Sequence, residues 1–452
     1  MNNRKILISG VAALSLSILL WFLNFYAIME ISKSTQNLFH VITTAILLFY
    51  SIRTKKFTLV IFTSMLAGIV VGYDFPSIGK ELKILSDIFL KLIKTIIAPL
   101  LFGTLVVGIA GHSNIKQVGR MGLKSLLYFE IVTTIALFVG LAFINFSQAG
   151  SGIQQIQTSD QLPTTIKQDW KDIVLHIFPE NFAKSIADGQ VLQIVIFSII
   201  FGIALAQLKE DKKKPMIDFL ESLSEVMFKF TDVVMYVAPI GVFGAIAYTI
   251  SNMGLGVLVN LLQLLFTLYA SLIFFVLCVL LPIAFLAGVP IKKFIQAISE
   301  PVSIAFATAS SEAALPRAME KLVEFGVPKK IVAFVLPTGY SFNLDGTTLY
   351  LSLASVFVAQ AANVQMDFSQ QLLMVFTLML TSKGVAGVPR ASLVILLGTV
   401  ASFNLPEWPV YIILGIDTLM DMARTAVNVI GNCLASVIIA IWEKEFSTKK
   451  TI

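Results

Sequence analysis

Eight apolar runs are spaced along the first two thirds of this chain, at roughly 5–28, 38–51, 57–74, 84–111, 122–147, 190–208, 223–250 and 255–288. A helix needs about 20 residues to cross the hydrocarbon of a bilayer, and most of these runs are that long. Composition agrees. Only 13% of the 452 residues are charged and 57% are hydrophobic, with mean hydropathy +0.86. A soluble domain carries about 25% charged residues, so this chain has too few to coat its own surface. The class implied is an all-α, multi-pass membrane protein.

Several chemistries are excluded early. The two cysteines, Cys278 and Cys433, each sit inside an apolar stretch and read as packed thiols. The histidines His40, His112 and His176 are isolated, so no zinc cluster and no metal site is expected. No phosphate-cradling Gly-Lys-Ser/Thr loop or dinucleotide glycine pattern occurs, which argues against ATP-driven work and against a bound cofactor. The N-terminus starts basic, like a signal peptide, but its apolar stretch exceeds the about 7–15 residues of a signal core and reads as a retained helix. The net charge of +6 lies in short loops, where it sets topology rather than binding nucleic acid.

Basic clusters fall at "NNRK", 51–56, 116–124, 209–214, 291–293, 328–330 and 443–450. With each on the cytoplasmic side, pairs of spans separate the first five. Between 291–293 and 328–330 the chain leaves and re-enters one face, yet its centre is too polar for two full spans. A re-entrant hairpin turning at "TASSEAALP" (308–316) satisfies this. A span over 331–361 follows, interrupted by Pro337, Gly339, Asn343, Asp345 and Gly346. Next come a second hairpin, 372–400, with a small-residue turn, and one long helix over about 406–443. The first hairpin enters from inside and the second from outside, the inverted-repeat logic of secondary transporters. The domains expected are an added helix pair at 1–55, six core helices at 56–290, the two hairpins with their following helices at 291–445, and a cytoplasmic tail at 446–452.

The last helix carries "DTLMDMARTAVNVIGN" between purely apolar flanks. Asp417, Asp421, Arg424, Asn428 and Asn432 share an arc of roughly 80° at about 100° per residue, with Thr425 on its border. An ionisable group at mid-membrane costs about 2.5–3.5 kcal/mol, so three together require partners or water. One reading is internal pairing of Arg424 with Asp421 or Asp417 as glue between helices. The other is a substrate site. Arg424 suits a carboxylate by bidentate pairing, and Asp421, held apart from it, suits an ammonium. Unwound backbone at 343–346 can offer carbonyls to a cation, and hairpin-tip amides can hold a carboxylate. A ligand matching both charges is an amino acid with an acidic side chain.

The motifs "TASSEAALPRAMEK" (308–321), "PTGYSFNLDGTTLY" (337–350), "TSKGVAGVP" (381–389) and "DMARTAVNVIGN" (421–432), supported by "LVVGIAG" and "YFEIVTT", resemble the dicarboxylate/amino acid:cation symporter family. The likeness runs from about 57 to 445 and is nearest to bacterial proton/glutamate symporters. It implies the glutamate-transporter fold, a homotrimer in the cytoplasmic membrane, and a fixed scaffold along which a transport domain slides. It also implies that Ser310, Ser311, Gly387 and Val388 enclose the substrate and that Thr347, Asp421, Arg424, Thr425 and Asn428 contact it. Relatives that carry C4-dicarboxylates lack the aspartate matching Asp421, and relatives for neutral amino acids lack the arginine matching Arg424. Both residues together point to glutamate or aspartate.

Departures from the family bear on the coupling ion. Sodium-coupled members have an aspartate at the place of Asn432, and a tyrosine and a threonine where Phe129 and Val132 align. Losing a carboxylate and two oxygen ligands weakens a hard-cation site and favours protons. Gly339, Ser341, Asn343, Asp345 and Asn428 still match the family's cation positions, so sodium coupling stays an alternative. Burial raises carboxyl pKa values, which makes Glu130, Glu312, Asp345 and Asp417 proton-carrier candidates. Arg390, where relatives have a small residue, is either a surface charge or an added attraction for an anionic substrate. A channel is the rival of another class, but no long pore ringed by charge is apparent. An enzyme, such as an intramembrane protease, is not expected, since no Ser–His, Ser–Lys or Gly-x-Gly-Asp arrangement is present.

Overall fold

The computed structural model describes Ser15 and residues 32–54, 57–110, 117–153, 178–188, 191–382 and 391–447. Every regular element among them is helical. The first are α1 (Lys33–Thr54), α2 (Phe57–Asp74), α3 (Pro76–Glu81), α4 (Lys83–Ala110) and α5 (Gln117–Ser147). Then come α6 (Phe182–Ala187), α7 (Val191–Ala206), α8 (Glu210–Met235) and α9 (Ala238–Met253). α10 (Val257–Phe275) continues through one π turn, Val276–Leu280, into α11 (Leu281–Leu286). The last part holds α12 (Ile291–Thr308), α13 (Ser311–Phe325), α14 (Lys329–Phe342), α15 (Asp345–Ala361), α16 (Phe368–Thr381), α17 (Ala391–Ser402), α18 (Trp408–Leu414) and α19 (Asp417–Trp442). Among the described residues five helices are long and apolar enough to cross a bilayer, and the bent pair α8/α9 makes a sixth span.

The helix ends explain several differences from the sequence pattern. The span expected at 223–250 begins earlier, at Glu210, and bends by 50° between α8 and α9. Pro239 opens α9 there, because a proline without an N–H is tolerated only in a first turn. The first hairpin turn is far narrower than 308–316. Ala309 alone takes a left-handed conformation (φ 50°), and the Ser310 side chain then accepts a bond from Ala313 N to start α13. The span at 331–361 breaks only at Asn343 and Leu344, with Pro337 and Gly339 inside α14. The long terminal helix is not continuous either. It stops at Leu414 and restarts at Asp417, so Asp417 stands in a first turn, where the helix dipole favours a carboxylate. Each hairpin is thus followed by a broken helix, a closer internal repeat than the sequence showed.

Two packed groups follow from the contacts. α2 and α4 surround α9, with α7 and α8 on the other side of α4. α5, α10 and α12 to α15 surround α19. The first group packs through small residues: a Cβ on Gly68 would lie 2.8 Å from the Phe243 carbonyl oxygen, and one on Gly72 would lie 2.7 Å from that of Ala247. This Gly-x-x-x-Gly face lets α2 and α9 approach backbone to backbone, the usual device where lipid supplies no hydrophobic drive between helices. α1 packs on α2 at the rim, joined by Ser51–Thr63 (2.8 Å) and His40–Asp74 (2.8 Å), with Leu38, Phe49 and Ile52 exposed outward. α19 is the opposite case, with most of its length buried inside the protein.

Three basic clusters meet at one end of the bundle. Lys124 pairs with Glu443 at 2.7 Å and donates to the carbonyl of Trp442, while Lys330 pairs with Glu445 at 2.8 Å. Lys124, Lys330 and the 442–445 segment therefore share one end of the bundle. Replacing Gly72 by Val drives a branched side chain into the α9 backbone. The expected result is a lower unfolding temperature in detergent, from overpacking of about 1–3 kcal/mol, read by a thermal scan against wild type.

Candidate substrate and cation site

α19 crosses the α14/α15 break at backbone distance. A Cβ on Gly346 would lie 2.3 Å from the carbonyl oxygen of Arg424, and one on Gly431 would lie 1.8 Å from the Asp345 carboxylate. Only glycines admit this approach, so the sequence places them where the two chains touch. The break exposes the first amides of α15, and Asn428 meets them. Its Oδ1 accepts from Gly346 N at 2.8 Å and from Thr347 N at 3.2 Å, and its Nδ2 donates to Thr347 Oγ1 at 2.9 Å. It caps a helix from 81 residues away, a role that local side chains play in most helices.

Below this lies the cluster expected to hold a cation. Asn343, Asp345 and Asn432 have no exposed surface. Asn343 Nδ2 donates to Asp345 Oδ2 (3.2 Å) and to Asn432 Oδ1 (3.4 Å). Gly339 packs so tightly that an added Cβ would lie 1.9 Å from Asn432 Oδ1 and 3.4 Å from the Phe129 ring. Phe129 and Val132 are buried and bring no oxygen to the neighbourhood. Ser341 lies in α14, and its side chain is outside the described residues.

Toward the start of α19 the charged residues converge. Arg424 Nε donates to Asp421 Oδ1 at 2.8 Å, and Nη1 donates to Asp417 Oδ1 at 3.0 Å. Thr425 Oγ1 adds a longer bond to Asp421 at 3.4 Å. The guanidinium carbon lies 4.3 Å from the ring centre of Tyr350, a cation–π contact on a buried aromatic face. The expectation that Arg424 and Asp421 stand apart is therefore corrected. Asp421 lies three residues before Arg424 and Asp417 seven, on one helix face, and the two carboxylates hold the guanidinium. Arg424 Nη2 is buried and has no hydrogen-bond partner among the described residues. Asp421 keeps 7% of its surface exposed, whereas Asp417 keeps none.

The hairpins frame this face unequally. Both arms of the first, α12 and α13, pack on α19. Ser310 caps α13, and Ser311 is buried. Of the second, Gly387, Val388 and Arg390 lie outside the described residues. The proton-carrier candidates separate by environment. Asp345 and Asp417 are fully enclosed, Glu130 is half-buried, and Glu312 stands exposed at the start of α13. The sequence reading missed Tyr350. The signal was available, since Tyr350 follows Thr347 by three residues and so shares its face of α15.

Residues 57–442 match the Sodium:dicarboxylate symporter family. The chain belongs to that family. It is 42% identical over 401 residues to the proton/sodium-glutamate symport protein of Bacillus caldotenax, covering 86% of this chain and 95% of the relative. It is 40% identical over 417 residues to the proton/glutamate-aspartate symporter of Escherichia coli (strain K12), covering 88% and 95%. The C4-dicarboxylate transport protein of Bacillus subtilis (strain 168) is also 40% identical, over 405 residues, covering 88% and 96%. The family match begins at residue 57, so α1 lies outside it.

Replacing Asn428 by Ala leaves the buried amides of Gly346 and Thr347 without an acceptor. Each such loss costs about 1–3 kcal/mol. The variant is expected to unfold at lower temperature in detergent, and Asn428→Asp, which keeps an acceptor, to recover part of that loss.

Proposed function

We propose that the protein is a secondary symporter that carries glutamate or aspartate across the cytoplasmic membrane together with protons. The observation that carries this reading is Arg424, buried between two carboxylates with one guanidinium nitrogen unbonded among the described residues. A substrate carboxylate meets Nη2 and competes with Asp421 for the guanidinium, using the fork geometry of arginine. Asp421, displaced, requires a cation of its own, and the substrate ammonium supplies it. Asp417, with no exposed surface, stays as the permanent partner of Arg424.

Selectivity follows from what each incomplete ligand leaves behind. Breaking a buried ion pair without replacing it costs about 3–5 kcal/mol. A dicarboxylate takes Arg424 without offering Asp421 a positive charge in exchange, and a neutral amino acid offers the guanidinium no second carboxylate. Only a ligand bearing both a side-chain carboxylate and an ammonium exchanges the internal pair for two new ones. The C4-dicarboxylate reading is disfavoured for that reason.

Charge balance also supports symport. Asp417 and Asp421 pair with Arg424, and Asp345 lies buried at the break. An acidic amino acid adds a further negative charge, and moving that sum through a bilayer is prohibitive unless positive charge travels with it. Protons fit better than sodium because Phe129, Val132 and Asn432 offer neither carboxylate nor hydroxyl near the break. Homotrimeric assembly and sliding of the α19-centred group against the α9-centred group complete the proposal. α17 and α18, which pack on α15 of the former, already abut α4 and α9 of the latter, with Lys94 paired to Glu407 at 2.6 Å.

Proteoliposomes loaded under a pH gradient or a sodium gradient test the reading. Labelled glutamate is expected to accumulate with the pH gradient alone. Accumulation with sodium alone removes the proton assignment, and no uptake of either acidic amino acid removes the substrate assignment. In the same assay Arg424→Cys is expected to abolish glutamate uptake and to admit small neutral amino acids.

A further inference from the structure

α4 carries four charged residues on one face of a membrane-spanning helix. Lys83, Asp87, Lys91 and Lys94 follow one another at steps of four, four and three, within an arc of roughly 80°. Lys94 lies near the middle of the 32-residue apolar stretch Pro76–Val107, a depth at which an ionisable group needs a partner. Its partner is Glu407, at 2.6 Å, the residue just before α18. The pair joins the two packed groups, because α4 packs on α9 and α18 leads into α19. Lys83 reaches the same place from the other end of the face. Its Nζ lies 6.0 Å from the ring centre of Tyr411 in α18 and 5.7 Å from that of Tyr248 in α9. Tyr411 follows Glu407 by one turn, so one face of α18 meets both ends of the charged face of α4.

The face is not symmetric about Lys94. From Thr95 to the end of α4 at Ala110 the sequence has no charged residue. In the other direction Lys91 lies about 4.5 Å along the axis and Lys83 about 16 Å. A Glu407 carboxylate moved toward Ala110 is stranded among uncharged side chains, which is costly at that depth. Moved toward Lys83 it meets Lys91 and then Lys83, with Asp87 between them to repel it. The face therefore offers a resting place at each end and travel in one direction only. We propose that it is a track for Glu407: Lys94 holds the carboxylate in the arrangement seen here, and Lys83 receives it at the far end of the slide. Lys94 and Lys83 are then positioning residues that set the balance between two arrangements without touching substrate. The proposal rests on the sliding motion put forward above, and it places this arrangement at the end of travel nearer Ala110.

The test is a distance between two spin labels, measured by pulsed EPR on the protein in liposomes. Cys278→Ser removes the exposed native thiol, and Cys433 is buried. Labels go on Lys214→Cys in α8 and Lys292→Cys in α12, both exposed and one in each packed group. The otherwise unaltered track is expected to give two distances, one for each arrangement. Adding Lys94→Met is expected to deplete the distance that matches this structure several-fold, and adding Lys83→Met to enrich it. With Glu407→Gln, which takes the charge off the track, neither substitution is expected to change the ratio. One distance in every variant, shifts of the same sign from Lys94→Met and Lys83→Met, or shifts that persist with Glu407→Gln overturn the proposal. Uptake of labelled glutamate by Lys94→Met is expected to lose maximal rate and to keep its KM. Absence of uptake by wild type removes the substrate reading, while the ratio of the two distances still judges the track.

Discussion

The contact on which this molecule depends is the crossing of α19 over the α14/α15 break. A helix interrupted inside a membrane leaves amides and carbonyls that neither lipid nor the helix itself can satisfy. Here α19 satisfies them, with Asn428 on the amides of Gly346 and Thr347 and Asn432 on the carbonyl of Asn343. Gly346 and Gly431 let the two segments come close enough for those short side chains to reach. The same crossing holds the charged residues of α19 at fixed height above the break. Folding and function therefore share one set of hydrogen bonds, and changes there cannot affect one without the other.

The charge cluster next to it has a different logic. Asp417, Asp421 and Arg424 lie on one helix, so their pairing needs no other element and forms with the helix itself. Stacking on Tyr350 from α15 then sets the plane of the guanidinium. A self-contained pair of this kind keeps a site neutral enough to stay folded. It also gives the competing ligand a clear requirement, to replace each charge it displaces. In the proposed exchange the closed pair is the state that the substrate opens.

Much of this was legible in the chain. The 3.6-residue period put five polar side chains on one face, and the cluster of Asn343, Asp345 and Gly346 marked where a span breaks. Other features were not. The pause at Gly415 and Ile416 is hidden because the apolar run before it leads straight into the polar stripe and no proline marks the restart. The tight first hairpin turn is hidden because Ala309 takes a conformation that glycine usually takes. The early start of α8 is hidden because its first turns are charged and read as loop, although they are helical.

Sequence alone determined that the chain lives in a bilayer as helices, where its polar face lies, and which residue types that face presents, since composition and period are local properties. Tertiary structure decided the partners. Whether Asn432 faces an ion or two carbonyls, and whether Asn428 faces a ligand or the start of a helix, depends on a crossing between segments more than 80 residues apart. No local pattern encodes that distance, because backbone approach is set by which glycines meet once both helices are in place.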